Sequence, residues 1–488
     1  MISIYKRLNL VLALLLIFPQ AAWAAPALAP VPVPVVQQQI VQVPIPQSIL
    51  QNIRYSQSTQ TVRIVFDVST LPAVATHLTQ NPDQLVIDFA GMVNKVSATQ
   101  KIFDDPVVNS VELSEVESGK QRVIVDLKRP ASYKTFTLTN PNRVVVDIIK
   151  DYDQKSEEQI ATGVKYISFL RYRQSGPISA HIVDITPGSD YMLKPVLSND
   201  AITGLEKLQA MAERSRAIAA VNGSYFALSG EILGLLKIDG EIASTSDVDR
   251  TALGILSDGK IMIDQAEYRG SITLPDGRTV AITGVNHERG VNDLILYNNY
   301  YDSMTGTNEF GSDYILSNGK ITAIAHGNAA IPPGGVVLSA HGTMEKALAG
   351  LNVGDKVQIT QTLGEIWDKT TYAMGAGPRL LKNGSVLLTS KEENFPSDIT
   401  SGRAPRTAVG MTKDGHVLLL VVDGRQQSSI GMTLLELALF MQERGAVDAM
   451  NFDGGGSSEM VVNGKAVNKP SDGRERSVGD ALMLVPKK

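Results

Sequence analysis

The sequence predicts a multidomain, strand-rich protein: an N-terminal duplicated β-sandwich, then a C-terminal α+β domain with a mostly antiparallel or mixed sheet. Two observations carry this. Val62-Arg63-Ile64-Val65-Phe66-Asp67 recurs as Gln121-Arg122-Val123-Ile124-Val125-Asp126, and Asn81-Pro82-Asp83-Gln84-Leu85-Val86-Ile87-Asp88 recurs as Asn140-Pro141-Asn142-Arg143-Val144-Val145-Val146-Asp147, both 59 residues on. Further along, Asp-Gly and Asn-Gly pairs (Asp239-Gly240, Asp258-Gly259, Asp276-Gly277, Asn318-Gly319, Asn383-Gly384, Asp414-Gly415, Asn463-Gly464) mark hairpin turns, because these residues tolerate left-handed backbone at low cost.

The chain of 488 residues has room for roughly three units of ~150 residues, and its 43% hydrophobic content supports a sizeable core. A net charge of −5 with scattered Lys and Arg gives no basic stripe, which argues against nucleic acid as a partner. The absence of cysteine removes disulfides, thiolate zinc sites and a cysteine nucleophile from consideration.

Taken in order, Lys6 and Arg7 precede an apolar run over 10–18, and Ala22-Trp23-Ala24 supplies a small-x-small cleavage site. Residues 1–24 therefore read as a signal peptide, with a run too short to span a bilayer comfortably. The mature chain is expected to be exported, to the periplasm, the cell envelope or the exterior, without a transmembrane segment. Residues 25–48 form a Pro/Gln-rich extended linker. The duplicated module occupies 49–150. Period-two alternation points Ile64, Phe66 and Val68 inward in the first copy and Val123, Val125 and Leu127 in the second, with Arg63, Asp67, Arg122 and Asp126 outward. The polar stretch 151–162 reads as a second linker.

The remaining domain, 163–488, opens with strands near 165–173 and 178–186. A helix follows over about 204–214, with Thr203 and Glu206 at capping-box spacing. A strand over 217–221 delivers Asn222-Gly223-Ser224-Tyr225-Phe226. Residues 286–314 form an irregular excursion to which the sequence assigns no chemistry. Arg379, beside Gly377-Pro378, reads as a structural salt-bridge residue. The apolar run 417–422 is a buried strand ending in Asp423-Gly424-Arg425. Thr433 and Glu436 make a second capping box, Leu434, Leu435, Leu437, Ala438 and Met441 form the apolar stripe of the helix, and Gly445 ends it. A strand over 446–452 then enters MNFDGGGSSEM. There Gly454, Gly455 and Gly456 allow backbone N–H groups to line an anion-binding nest, with Asp453 at its lip and Ser457, Ser458 and Glu459 beyond.

The repeat at 49–150 resembles the AMIN domain, an envelope-targeting module, and this implies retention at the wall or its polymers. VNGSYF, GAGPRLL, GRAPRTAVG, VVDGRQ and NFDGGGSSEM, in that order over 163–488, resemble the phosphodiester glycosidase family. That resemblance implies hydrolysis of the bond between a sugar's anomeric carbon and a phosphodiester oxygen, here in a cell-wall or envelope glycopolymer or an exopolysaccharide, releasing free sugar and a phosphomonoester. The leaving group departs as an anion, so charge stabilisation outweighs the need for a general acid. Arg403, Arg406 and Arg425 are the phosphate-binding candidates, joined by Gly454, Gly455, Gly456, Ser457 and Ser458 as neutral donors. Asp453 is the first candidate for base or nucleophile, with Asp423 and Glu459 behind it. Asn222 enters through the family motif. Six dispersed histidines form no metal motif, and His181, His326 and His341 read as structural. The sequence requires no cofactor and leaves open a divalent cation on the carboxylates. The alternative function is a non-catalytic binder of phosphate-bearing envelope polysaccharide, which has no use for three carboxylates beside its anion.

Overall fold

The structure, a computed structural model, describes residues 47–487 with Thr59, Gln174 and Asp247 excepted. The predicted signal peptide, and the linker up to residue 46, lie outside the described residues. No helix among the described residues is long and apolar enough to cross a membrane.

The first copy of the repeat supplies β1 (Ser48–Gln57), β2 (Thr61–Val68), β3 (Ala73–Thr79) and β4 (Gln84–Ala90). Short β5 (Met92–Asn94) and β6 (Gln100–Ile102) lead to the second copy, β7 (Val108–Glu117), β8 (Lys120–Leu127), β9 (Ser132–Leu138) and β10 (Arg143–Ile149). The strands form two five-stranded sheets, β5-β1-β2-β10-β9 and β3-β4-β8-β7-β6. Each sheet takes strands from both copies, since β2 pairs with β10 and β4 with β8. The alternating residues Ile64, Phe66, Val68, Val123, Val125 and Leu127 all enter one shared core, where Phe66 meets Phe89 edge-on at 5.0 Å. The outward arginines pair across the copies, Arg63 with Asp147 and Arg122 with Asp88, each at 2.6 Å. Below them Lys150 and Asp105 form a buried ion pair at 2.5 Å. Burial opposes ionisation of Asp105, but Lys150 and the N–H groups of Val107 and Val108 hold its carboxyl below the usual range.

The polar stretch 151–162 is not a linker. It is β11 (Tyr152–Ala161), paired along its length with β12 (Val164–Arg173), which pairs in turn with β13 (Gly176–Ile185). Its polarity has a different cause: β11 is the edge strand of an eight-stranded sheet, its side chains mostly exposed, and charge on an edge discourages pairing with other chains. Beyond β13 this sheet continues through Val417–Val422, Arg406–Thr412, Ala446–Asn451, Arg379–Lys382 and Ser385–Val386. The helix Leu434–Glu443 packs on it, capped by Thr433 and Glu436 as the spacing predicts. In its stripe, however, Leu435 is exposed and Phe440 is buried.

A five-stranded sheet of Tyr191–Leu197, Asp480–Pro486, Ala219–Asn222, Met460–Val462 and Lys465–Ala466 faces the first across a common core that includes Val183, Leu419, Val421, Phe452, Val221, Leu482 and Leu484. The early helix is shorter than its spacing suggests, Leu208–Arg214, and has no side-chain cap. Thr203 falls outside it, and Glu206 lies in a two-residue strand paired with Ser477–Val478 while binding Arg214. The excursion 286–314 is folded: Leu294–Tyr297 is a sheet strand. The fully buried Asp313 holds the surrounding loops, accepting from Thr305, Thr307, Ser339, Arg289 and the Ala329 N–H.

Replacing Lys150 by Met leaves the Asp105 charge buried without its cation. Chemical denaturation should show a loss of roughly 3–5 kcal/mol, as breaking one side of a buried pair does.

Candidate active site

Antiparallel pairing brings the chemistry to one end of both sheets. In the eight-stranded sheet Arg406 lies opposite Val422 and Ala408 opposite Asn451, so Asp423, Arg406 and Asp453 emerge from three adjacent strands. In the facing sheet Asn222 lies opposite Ala481 and Val221 opposite Met460, which sets Asn222, Glu459 and Asp480 at the corresponding end. The Asn222 carboxamide ties the two ends together. Its Oδ1 accepts from the Thr407 hydroxyl at 2.7 Å and from the Glu459 N–H at 3.2 Å, and its Nδ2 donates to the Asp453 carbonyl at 2.7 Å. Asn222 is 1% exposed. It positions the loop, with one of its two Nδ2 hydrogens given to the Asp453 carbonyl.

Four N–H groups of the glycine loop, where the sequence suggests a nest, have partners within the fold. Gly454 N–H donates to the Asp453 carboxylate at 2.8 Å and Gly455 N–H to the Pro405 carbonyl at 2.9 Å, while the N–H groups of Ser457 and Ser458 turn inward to the carbonyls of Gly454 and Gly455. These donors are spent within the fold. The glycines serve close approach instead. A Cβ on Gly455 would stand 3.3 Å from Arg425 Nη1, and one on Gly456 would overlap the Arg476 guanidinium.

The arginines divide by their partners. Arg403 is occupied by Glu436 at 2.5 Å. Arg406 is buried and donates to three backbone carbonyls, those of Met432, Ile399 and Gly402; burial lowers its pKa and its charge has no ion-pair partner among the described residues. Both therefore have protein partners that the predicted contact set did not foresee, and Arg406 adds positive charge behind the loop. Arg425 differs. It is exposed, lies against Gly455, and makes no hydrogen bond or ion pair among the described residues. Arg476, which the sequence reading passed over within a polar run, binds Asp472 and reaches Ser457 at 3.5 Å. Arg379 sits between Asp264 and Asp448, as its structural reading expects.

Of the three carboxylates, Asp453 is partly exposed beside the loop. Burial pushes its pKa up to about 6, against the Ser457 hydroxyl, the Gly454 N–H and the Arg476 charge. Asp423 is 5% exposed and turned to structure: Oδ1 accepts from Lys469 N–H at 2.9 Å and Asn468 Nδ2 at 3.1 Å, and Oδ2 lies 3.6 Å from His181 Nε2. Glu459 is 2% exposed and meets Glu475 and Lys207; burial and the Glu475 charge push it up to about 8.

A fourth carboxylate, Asp480, escapes the sequence reading because it looks like the polar start of a strand. It is 1% exposed, accepts the Ser224 N–H at 2.7 Å through Oδ1, and leaves Oδ2 without a partner. Burial first, and then the Asp453 charge, push it up to about 7. Gly223 joins the pair, its carbonyl accepting from Asp453 N–H at 2.9 Å and its N–H donating to the Asp480 carbonyl at 3.2 Å. Tyr225 stands beside them, held by Asn451 at 3.0 Å, and its ionisation is suppressed by burial and by Asp453. Buried side-chain atoms without hydrogen-bond partners gather in these segments: Ser224 Oγ, Asn451 Oδ1, Ser458 Oγ, Glu459 Oε1 and Asp480 Oδ2. Among the described residues no group of three or more His, Cys, Asp or Glu side chains is arranged to hold a metal ion.

Comparison with known proteins agrees with this architecture. Residues 311–485 match the phosphodiester glycosidase family model and residues 110–184 the AMIN domain model. The AMIN match thus starts in the second copy of the repeat and runs into β13, past the predicted boundary at 150. Over 80 residues the chain is 41% identical to the SPbeta prophage-derived uncharacterized protein YomE of Bacillus subtilis, covering 16% of this chain and 12% of that protein. Over 102 residues it is 32% identical to N-acetylglucosamine-1-phosphodiester alpha-N-acetylglucosaminidase of Mus musculus, covering 19% and 20%. The chain therefore spans a fifth or less of the length of these curated relatives. A hypothetical protein from Synechocystis shares the fold, with a TM-score of 0.64 at 20% identity over 91% of this chain and 81% of that one. The chain thus contains one segment that matches the phosphodiester glycosidase family model and another that matches the AMIN domain model.

Asp480→Asn tests the buried pair. A carboxyl whose pKa is raised by folding costs nothing below its unfolded value, destabilises the fold increasingly as pH rises from there to the folded value, and does so in full above it. The variant should gain more than about 1 kcal/mol in thermal stability at pH 8 and nothing at pH 4.

Proposed function

We propose that this chain is an exported hydrolase that cleaves the glycosyl C1–O–phosphate bond of a sugar-1-phosphodiester in an envelope glycopolymer or exopolysaccharide. The supporting observation is that Asp453, a partly exposed carboxylate fixed by Asn222 and Gly223, shares its loop with Gly455, against which the unpaired guanidinium of Arg425 lies. In this reading Arg425 grips the nonbridging phosphate oxygens as a planar fork, and Arg406 adds a second, buried positive charge behind it. Asp453 takes the proton of the water that adds to the anomeric carbon, or attacks that carbon itself to form a glycosyl ester that water then hydrolyses to free sugar and the restored carboxylate. The C1–O bond breaks, and the phosphomonoester leaves carrying the electron pair. A pure binder of the anion gains nothing from Asp453 and Asp480, whose like charges cost affinity, which disfavours the scaffold reading.

The two-sheet module at 49–150 is read as a duplicated β-sandwich that retains the enzyme at wall polymers, in line with its AMIN match. Deleting it should leave turnover of a small soluble substrate largely intact and abolish co-sedimentation with isolated cell walls; unchanged sedimentation removes the targeting role.

Asp453→Asn should lower single-turnover hydrolysis of a sugar-1-phosphodiester at least ~100-fold while the protein stays folded. In the unaltered protein the rate should climb with pH through about 6, as Asp453 ionises. A variant that is folded and fully active passes the role to another carboxylate. Arg425→Lys should also be costly, because an ammonium cannot reproduce the bidentate fork.

A further inference from the structure

Beside the glycine loop lies a cleft of about 490 Å³, walled by Gln426, Gln427 and Ser428 on one side and by Lys469, Pro470, Ser471 and Gly473 on the other. Both walls are built into the active site. The first continues directly from Arg425. The second is anchored by Asp423, whose carboxylate accepts the Lys469 N–H, and by Asn468, which donates to the Ser458 carbonyl at 3.1 Å. Gln426 Nε2 closes the floor by donating to the Lys469 carbonyl at 2.7 Å.

The lining is polar and underused. Gln426 Oε1 and Ser471 Oγ are buried without hydrogen-bond partners. The Lys469 side chain is exposed and, like that of Arg425, is paired with no carboxylate among the described residues. Of the acids at this wall, Asp423 is buried and engaged by the Lys469 N–H and Asn468 Nδ2, and Asp472 is taken by Arg476 at 2.6 Å. Two cations without a carboxylate partner among the described residues therefore border this region: Lys469 lines the cleft, and Arg425 directly precedes Gln426 of the opposite wall.

We propose that this cleft is a second anion subsite, which holds a further phosphate on the aglycone side of the scissile phosphodiester. The substrate class is then a polymer or oligomer that carries phosphate in consecutive repeats, in preference to an isolated sugar phosphodiester. This rests on Arg425 holding the first phosphate. A second charge-assisted contact to Lys469 raises affinity because both anions belong to one molecule, so the second contact forms without a separate loss of translational freedom.

The test is calorimetric binding to the full chain, with orthophosphate and propanediol bisphosphate as probes, in low and high salt. Binding does not depend on turnover, so a failure to hydrolyse any sugar-1-phosphodiester would count against the proposed activity and leave this result readable. The bisphosphate should bind at least about tenfold more tightly than orthophosphate, the worth of one added charge-assisted hydrogen bond, and the excess should shrink in high salt. Lys469→Gln should lose that excess with orthophosphate affinity unchanged, and Lys469→Arg should retain it. No excess in the unaltered protein, or an excess that survives Lys469→Gln, overturns the subsite.

Discussion

The site depends on one carboxamide. Asn222 stands where two sheets end side by side, and its three hydrogen bonds to Thr407, Glu459 and Asp453 hold those ends in register. An aliphatic side chain there would leave the Thr407 hydroxyl, the Glu459 N–H and the Asp453 carbonyl unpaired in a dry interior, at about 1–3 kcal/mol each. The loop bearing Asp453 would then lose the anchor on the Asp453 carbonyl, leaving the backbone bonds to Gly223 and Pro405. A candidate catalytic carboxylate on a loop thereby acquires the precision of the sheets beneath it.

Much of the fold was readable because period and turn chemistry are local. The 59-residue repeat, the inward faces of β2 and β8, the capping box at Thr433 and the strand entering Asp453 all follow from short stretches of sequence. What failed was decided by distant neighbours. The exchange of strands between repeats depends on pairing across 84 residues, as in Arg63 with Asp147. The run 151–162 has linker composition, yet it is an edge strand whose polarity faces solvent. Thr203 has capping-box spacing but lies outside the helix, which begins only at Leu208.

The sequence names the candidate residues, and the structure adds the partners that most of them hold. Position in the sequence gave Asp453, Arg425 and the glycine loop. It could not show that Arg403 is spent on Glu436, that Arg406 is spent on backbone carbonyls, or that Asp423 anchors the 468–469 turn. Nor could it find Asp480, which reaches the site only through the pairing of Asp480–Pro486 with Ala219–Asn222. The glycines are the clearest case. Three in a row suit either a nest of N–H donors or the close approach of bulky neighbours, and only the hydrogen-bond partners of those N–H groups separate the two. Here the N–H groups of Gly454 and Gly455 find partners inside the protein, and under the proposed function recognition of an anion passes to Arg425.

That transfer of anion binding from backbone to guanidinium is the central claim, and a crystal structure of the full chain with the phosphomonoester product bound tests it directly. The account predicts phosphate oxygens within hydrogen-bond distance of the Arg425 guanidinium, with the Asp453 carboxylate facing the side from which the sugar departed. Phosphate cradled by the N–H groups of Gly454 to Ser458 with Arg425 turned away, or bound in a cavity remote from the loop, would contradict it.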